Sequence, residues 1–299
     1  VSDGGDLDVK RCAKCAALIP ASATMCAYCN TSSPDEPLQR SRGSVLSIRH
    51  GIRVTDVLII VNVAYLLFAA FAEYAHLREG NPLQWILTAT GFGEGLWRAG
   101  AYRHEQVASG QWWRIVTATF LHAGALHIAV NMFSLRNLGH VAEELFGPAK
   151  LLVVYLVSGA CSALAVSVWF VWILKRPPGE TPGLVGASGA IFGIAGLLVV
   201  YLLRAGTDRG RQVARSLAMN LGLMLLFGWY VSFISNTGHV GGLVAGLAFG
   251  LTIGDKFTGR INPASRQRWS RAAVLCVAFA GAALLAGAWF AVTYKGTIQ

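Results

Sequence analysis

Apolar and polar residues fall along this chain in long blocks. Stretches with almost no charge are separated by short segments rich in Arg, Lys, Gly and Pro. About 20 consecutive apolar residues cross a bilayer as one helix, because a helix satisfies its own backbone polar groups. On that measure the pattern predicts seven spans. The first is Val57 to Ala72 with amphipathic flanks, and the second lies within Ile115–Leu135. Leu151–Leu174 and Leu184–Leu203 follow, and Ala272–Tyr294 is the last. The uncharged run Ser216–Gly254 is too long for one helix, and the turn-forming Ser235-Asn236-Thr237-Gly238 divides it into the fifth and sixth. Residues 76–114, rich in Trp, Gly and Arg with little helical periodicity, read as a loop resting in the outer interface. The first apolar run follows a long polar head, so it reads as a permanent anchor and no cleavable signal is expected.

Composition agrees. Of 299 residues, 54% are hydrophobic and 13% charged, against about 25% charged in an average soluble domain. The expected fold class is an all-α polytopic membrane protein. With the N-terminus inside, 18 of the 25 Lys and Arg fall on cytoplasmic segments and the other 7 outside. Cytoplasmic loops of membrane proteins accumulate Lys and Arg. This orients the N-terminus to the cytoplasm and the C-terminus outside, and it accounts for the net charge of +10 without a nucleic-acid partner.

The head, 1–33, is a separate unit. Cys12, Cys15, Cys26 and Cys29 form two CxxC knuckles, the spacing of a tetrahedral four-cysteine zinc site. A disulfide pair or a redox CxxC is the alternative. So small a unit cannot bury enough apolar area to fold alone, so structural zinc would supply its folding energy. Thiolates need a reducing compartment, which again puts the head in the cytosol. Its expected role is contact with a cytoplasmic protein partner or regulation, through docking on the cytoplasmic loops. Residues 34–53 form a basic linker facing the membrane. Cys161 and Cys276 lie in apolar runs and read as packing residues.

The candidate chemistry centres on Gly186-Ala187-Ser188-Gly189 in the fourth span. A serine framed by glycines in a membrane helix is ordinarily a packing face. Three polar residues from two other spans change that reading. His127 and Asn131, spaced i, i+4, share one face of the second span, and His239 opens the sixth. Glycine stripes at 186, 189, 193 and 196 and at 242, 246 and 250 let the fourth and sixth helices approach backbone to backbone. That would bring Ser188 within reach of His239, both toward the outer leaflet. A serine hydroxyl needs a base to become a nucleophile, and His is the usual one. No Asp or Glu lies near His239 in sequence, so a Ser188/His239 dyad is expected rather than a triad. Asn131, His127 and the Ser188 backbone N–H are the candidate oxyanion donors, helped by the positive end of the fourth helix. His122 reads as a structural partner in the interfacial loop.

These residues resemble the rhomboid family of intramembrane serine proteases. The matching motifs are Trp113-Arg114, Phe120-Leu121-His122-Ala123-Gly124 with His127 and Asn131, Gly186-Ala187-Ser188-Gly189, and His239 with Gly242 and Gly246. They run in family order over 54–255. The resemblance implies a six-helix core with a cavity open to the outside, and cleavage of transmembrane protein substrates near their outer ends, without a catalytic cofactor. It implies Ser188 as nucleophile, His239 as base, and His127, Asn131 and the Ser188 N–H at the oxyanion. Phe192 stands where some members carry a Tyr that stacks on the catalytic His. Residues 256–299 add a cytoplasmic loop and a seventh helix. The fifth span is expected to act as a lateral gate, with Trp229 and Phe233 packed against the second. The expected location is a bacterial plasma membrane. Two rival readings are an inactive rhomboid-like protein that binds membrane clients, and a transporter relaying protons through histidines. The presence of both Ser188 and His239 counts against the first, and the lack of midplane carboxylates against the second.

Overall fold

The structure, a computed structural model, describes residues 9–11, 18–20, 22–26, 52–77, 94–177, 179–231, 234–253 and 263–294. The chain divides into two units, Val1–Gly51 with Gly254–Arg266, and Ile52–Ile253 with Gln267–Gln299. In the first unit, β1 (Val9–Arg11) pairs antiparallel with β2 (Leu18–Pro20), Val9 facing Pro20. Cys12 and Cys15 lie between these strands in sequence, and Cys26 is buried. Cys12, Cys15 and Cys29 of the expected zinc site lie outside the described residues. Among those described, no group of three or more His, Cys, Asp or Glu is placed to hold a metal.

The second unit is helical. Its elements are α1 (Val54–Leu77), α2 (Glu94–Ala99), α3 (His104–Ala108), α4 (Arg114–Thr117), α5 (Ala125–Phe146) and α6 (Pro148–Ser167). A π-helical turn, Val168–Ile173, continues α6, and then come α7 (Ser188–Arg204), α8 (Asp208–Tyr230), α9 (Asn236–Thr252) and α10 (Pro263–Thr293), of which Gln267 onward belongs to this unit. Among the described residues, seven helices reach 17 residues or more, in the order the apolar pattern predicts. Four stretches, Val54–Ala72, Pro148–Ile173, Asp208–Tyr230 and Ala264–Thr293, are long and apolar enough to cross a membrane. The other three fall short for physical reasons. The second half of α5 carries Arg136, Glu143 and Glu144, while α7 and α9 have 17 residues each. At 1.5 Å per residue those two are about 26 Å long, less than the ~30 Å hydrocarbon core.

Local chemistry sets the boundaries. Pro148 starts α6, its missing N–H costing nothing in the first turn. The Thr207 and Ser235 hydroxyls accept from Gly210 and Gly238 N–H and cap α8 and α9, so the predicted turn at Ser235 does divide the fifth helix from the sixth. At the first turn of α1, the Glu143 carboxylate accepts from the N–H groups of Val54 and Thr55, both at 2.9 Å, and from the Thr55 hydroxyl. It thereby satisfies donors a helix cannot satisfy itself.

Four expectations are corrected. Residues 76–114 are not structureless where described: they contain α2 and α3 and end at α4. Arg114, fully buried, explains this. It donates to the carbonyls of Trp97 and Ala101 and to Gln111 Oε1, while Tyr65 and Thr117 hydroxyls reach the carbonyls of Ala99 and Gly100. Side chains thus supply the partners that a buried loop backbone requires. The second span begins as the short α4, which ends at Thr117, and resumes only at Ala125, with Gly124, at φ 113°, as its N-cap residue. The fourth starts at Ser188 rather than Leu184, since Leu184 is extended and paired with Tyr102. Trp229 is 81% exposed rather than packed on the second span, and Phe233 lies outside the described residues.

The core is organised around α7. Ala190, Ile194, Ala195 and Leu197 are buried in it, and it packs on α9, α6 and α5. A Cβ on Gly242 or Gly246 would overlap the carbonyl of Gly189 or Gly193. The third partner is α6, where Ser158 and Ser162 press on Gly193 and Gly189.

Candidate active site

Ser188 is the first residue of α7. The chain reaches it through Gly186, whose φ of 118° strongly favours glycine. The backbone there is held on both sides of the turn. Gly186 N–H donates to Ala118 O at 2.9 Å, and Ala187 N–H donates to His122 Nε2 at 3.4 Å. The N–H groups of the first helical turn have no acceptor within the helix. The Ser188 N–H therefore sits at the positive end of α7.

His239 lies in the first turn of α9, directly after the Ser235 cap, and is buried. The glycine contact between α7 and α9 brings its Nε2 to 2.9 Å from Ser188 Oγ. Phe192, one turn beyond Ser188, lies flat on the imidazole with centroids 4.3 Å apart and planes 5° apart. With Nε2 accepting from the serine hydroxyl, the ring carries its proton on Nδ1. That atom has no hydrogen-bond partner among the described residues, and none of the described carboxylates completes a triad there.

His127 sits beside the serine. A Cβ built on Gly186 would stand 2.8 Å from His127 Nε2 and 3.7 Å from Ser188 Oγ. Ala123 N–H donates to His127 Nδ1 at 3.3 Å, which leaves Nε2 as the protonated nitrogen of the neutral ring. This is a donor aimed at the space next to Ser188. Asn131, buried one turn along α5, spends one amide N–H on the His127 carbonyl at 2.8 Å. The structure thus groups Ser188, His239 and His127 directly, with Asn131 behind His127.

His122 is more than the loop partner expected of it. Fully buried, it packs edge-on against His127 with centroids 5.1 Å apart and accepts the Ala187 N–H. Sequence reasoning missed the serines of α6 altogether. Ser158 and Ser162 recur at i, i+4 on one face, a spacing that could have marked a third small-residue face.

The Rhomboid domain family matches residues 109–256, the stretch that contains every residue of this site. GluP of Bacillus subtilis, a rhomboid protease, is 32% identical over 155 residues, which cover 52% of this chain and 29% of GluP. AarA of Providencia stuartii, also a rhomboid protease, is 29% identical over 213 residues, 65% of this chain and 70% of AarA. The rhomboid-named protein YdcA of Bacillus subtilis is 30% identical over 193 residues, 64% of this chain and 84% of YdcA. The chain belongs to the rhomboid family. The match spans less than a third of GluP, and the cysteine head lies outside the matched rhomboid domain. In this rhomboid the position after which a ring covers the histidine is Phe192, which stacks but offers no hydroxyl.

Proposed function

We propose that this rhomboid is an intramembrane serine endopeptidase that cleaves transmembrane protein substrates near the outer face of the bilayer. The 2.9 Å contact between Ser188 Oγ and His239 Nε2 carries the reading. His239 takes the hydroxyl proton as Ser188 attacks the scissile carbonyl, and returns it to the leaving amine. The oxyanion forms between the Ser188 N–H, His127 Nε2–H and the Asn131 amide. No cofactor enters these steps.

The distribution of Lys and Arg supports a cytoplasmic N-terminus and an external C-terminus; the bacterial relatives are what supports a bacterial plasma membrane. Residues 1–33 are a cytoplasmic zinc ribbon, 34–53 a linker, 54–255 the protease core, and 256–299 a loop and seventh helix. The β1–β2 pair and the buried Cys26 are what supports the ribbon. It docks a cytoplasmic partner or the loops of the core. Metal analysis of the purified chain tests the ribbon: about one zinc per chain is expected from a four-cysteine site, lost in Cys12→Ser/Cys29→Ser. Equal zinc in that variant would remove it.

Cleavage of a reporter transmembrane substrate in proteoliposomes tests the activity. Product from the parent chain and none from Ser188→Ala is the expected result. Binding of the reporter without cleavage by the parent chain would favour the client-binding reading instead.

A further inference from the structure

The nine residues that lead into Ser188 are attached to a single stretch of chain, 102–122. Gly179 N–H donates to Glu105 Oε1 at 3.0 Å, and the buried Thr181 hydroxyl donates to the same carboxylate at 2.6 and 2.7 Å. Leu184 and Tyr102 exchange both backbone hydrogen bonds at 3.0 Å. Ala118 O and His122 then hold Gly186 and Ala187. The 102–105 end is itself fixed to α6, because Ser167 Oγ bonds the Tyr102 hydroxyl and lies 2.8 Å from His104 Nδ1.

Removing one attachment has unequal consequences along this strap. Tyr102, Ala118 and His122 lie in the core, and replacing them would disturb packing as well as the strap. Glu105 is only partly buried, on a five-residue helix, and apart from its own backbone N–H its carboxylate hydrogen-bonds only the strap among the described residues. Without it, the first third of the strap keeps no bond to the 102–122 stretch before Leu184. The entry angle of the chain into Gly186, and so the position of Ser188 Oγ against His239, then rests on fewer constraints. A displacement of about 1 Å in a reacting group is enough to cost about a hundredfold in rate.

We propose that Glu105 is a positioning residue for Ser188, acting through Gly179 and Thr181 on the strap that enters α7. This rests on the protease reading of the site. The test uses the full chain in detergent, well below its Tm, with Glu105→Gln, Thr181→Val and the double variant. Amide exchange across 184–188, the rate of fluorophosphonate acylation of Ser188, and kcat and KM for a reporter transmembrane substrate are measured. Each single variant is expected to speed exchange about tenfold and to slow acylation and lower kcat about tenfold at unchanged KM, the sign of a lost transition-state geometry. The double variant should lose no more than either single, since both remove one clamp. Glu105→Asp, which keeps the charge, should lose less than Glu105→Gln. Parent-like exchange and acylation in both singles would overturn the proposal. So would additive losses in the double variant, or a lowered Tm with parent-rate acylation below it. A parent chain that never reacts with the fluorophosphonate, while exchange still rises in Glu105→Gln, would instead sink the protease reading and with it any catalytic consequence of the clamp.

Discussion

Phe192 and His239 lie ring on ring, one turn from the serine that the histidine contacts. The stack fixes the plane of the imidazole, and therefore the direction in which Nε2 faces Ser188 Oγ. Aromatic pairs of this kind contribute about 0.5–1.5 kcal/mol beyond simple burial. Phe192→Leu should therefore slow acylation of Ser188 by about two- to tenfold, and Phe192→Tyr should stay near the parent rate. Fluorophosphonate labelling time courses on folded variants decide this. A parent-like rate for Phe192→Leu would mean that the stack does not orient the base.

The glycine contact makes a second prediction. A methyl on Gly246 overlaps the Gly193 carbonyl, whereas nothing lies within 4 Å of a Cβ on Gly222 in α8. Gly246→Ala should lower stability by about 1–3 kcal/mol, the usual cost of overpacking, and reduce labelling by spreading α7 from α9. Gly222→Ala should leave both near the parent values. Thermal unfolding in detergent together with labelling measures the two effects, and equal behaviour of the variants would contradict the packing account.

This contact was legible in the sequence because glycine at four-residue intervals has few explanations in an apolar helix. The pairing of Ser188 with His239 followed from it. Other features left no periodic trace. The fourth helix reads as starting at Leu184 because Leu184, Val185 and Ala187 are as apolar as the helix itself. An isolated backbone bridge to Tyr102, 82 positions away, is what pairs Leu184 instead. The order in 94–114 likewise draws on the buried Arg114, two of whose partners are the backbone carbonyls of Trp97 and Ala101, which carry no sequence signal. The exposure of Trp229 contradicts a packing expectation drawn from resemblance, because α8 meets the rest of the bundle on a narrow face, with Ala214 and Gly228 buried while Leu223, Leu226 and Phe227 are exposed.

The oxyanion donors give a third prediction. His127→Ala removes the N–H beside Gly186, and Asn131→Ala removes the amide behind it. Losing one preorganised donor costs about 10²–10³ in kcat. His127→Ala should reach that range for a reporter transmembrane substrate, and Asn131→Ala should lose less because its amide also serves the His127 carbonyl. A larger loss for Asn131→Ala would reverse the assigned order.

Acid should loosen the Glu105 clamp. Burial alone would raise this carboxyl, but the hydrogen bonds from Thr181, from its own backbone N–H and from Gly179, with the neighbouring His104, hold it below the usual carboxylate range. A group whose folded pKa is depressed stabilises the fold fully above its unfolded value, and that contribution disappears as pH falls through the folded value. Tyr102 and His104 are the titratable neighbours on its own stretch, and Arg176 and Glu180 on the strap side pair with each other at 3.6 Å. The Tm of the parent should exceed that of Glu105→Gln at neutral pH, and the two should converge on acidification into the lower carboxylate range. A constant gap across that range would mean that the carboxylate charge is not what holds the strap.

The central claim is that Ser188 is an activated nucleophile with His239 as its base. Labelling of the detergent-solubilised full chain with a fluorophosphonate, beside Ser188→Ala and His239→Ala, tests it most directly. The account predicts covalent labelling of the parent chain and none in either variant. Labelling that persists in His239→Ala at the parent rate, or its absence from a folded parent chain that also fails to cleave a reporter substrate, would contradict it.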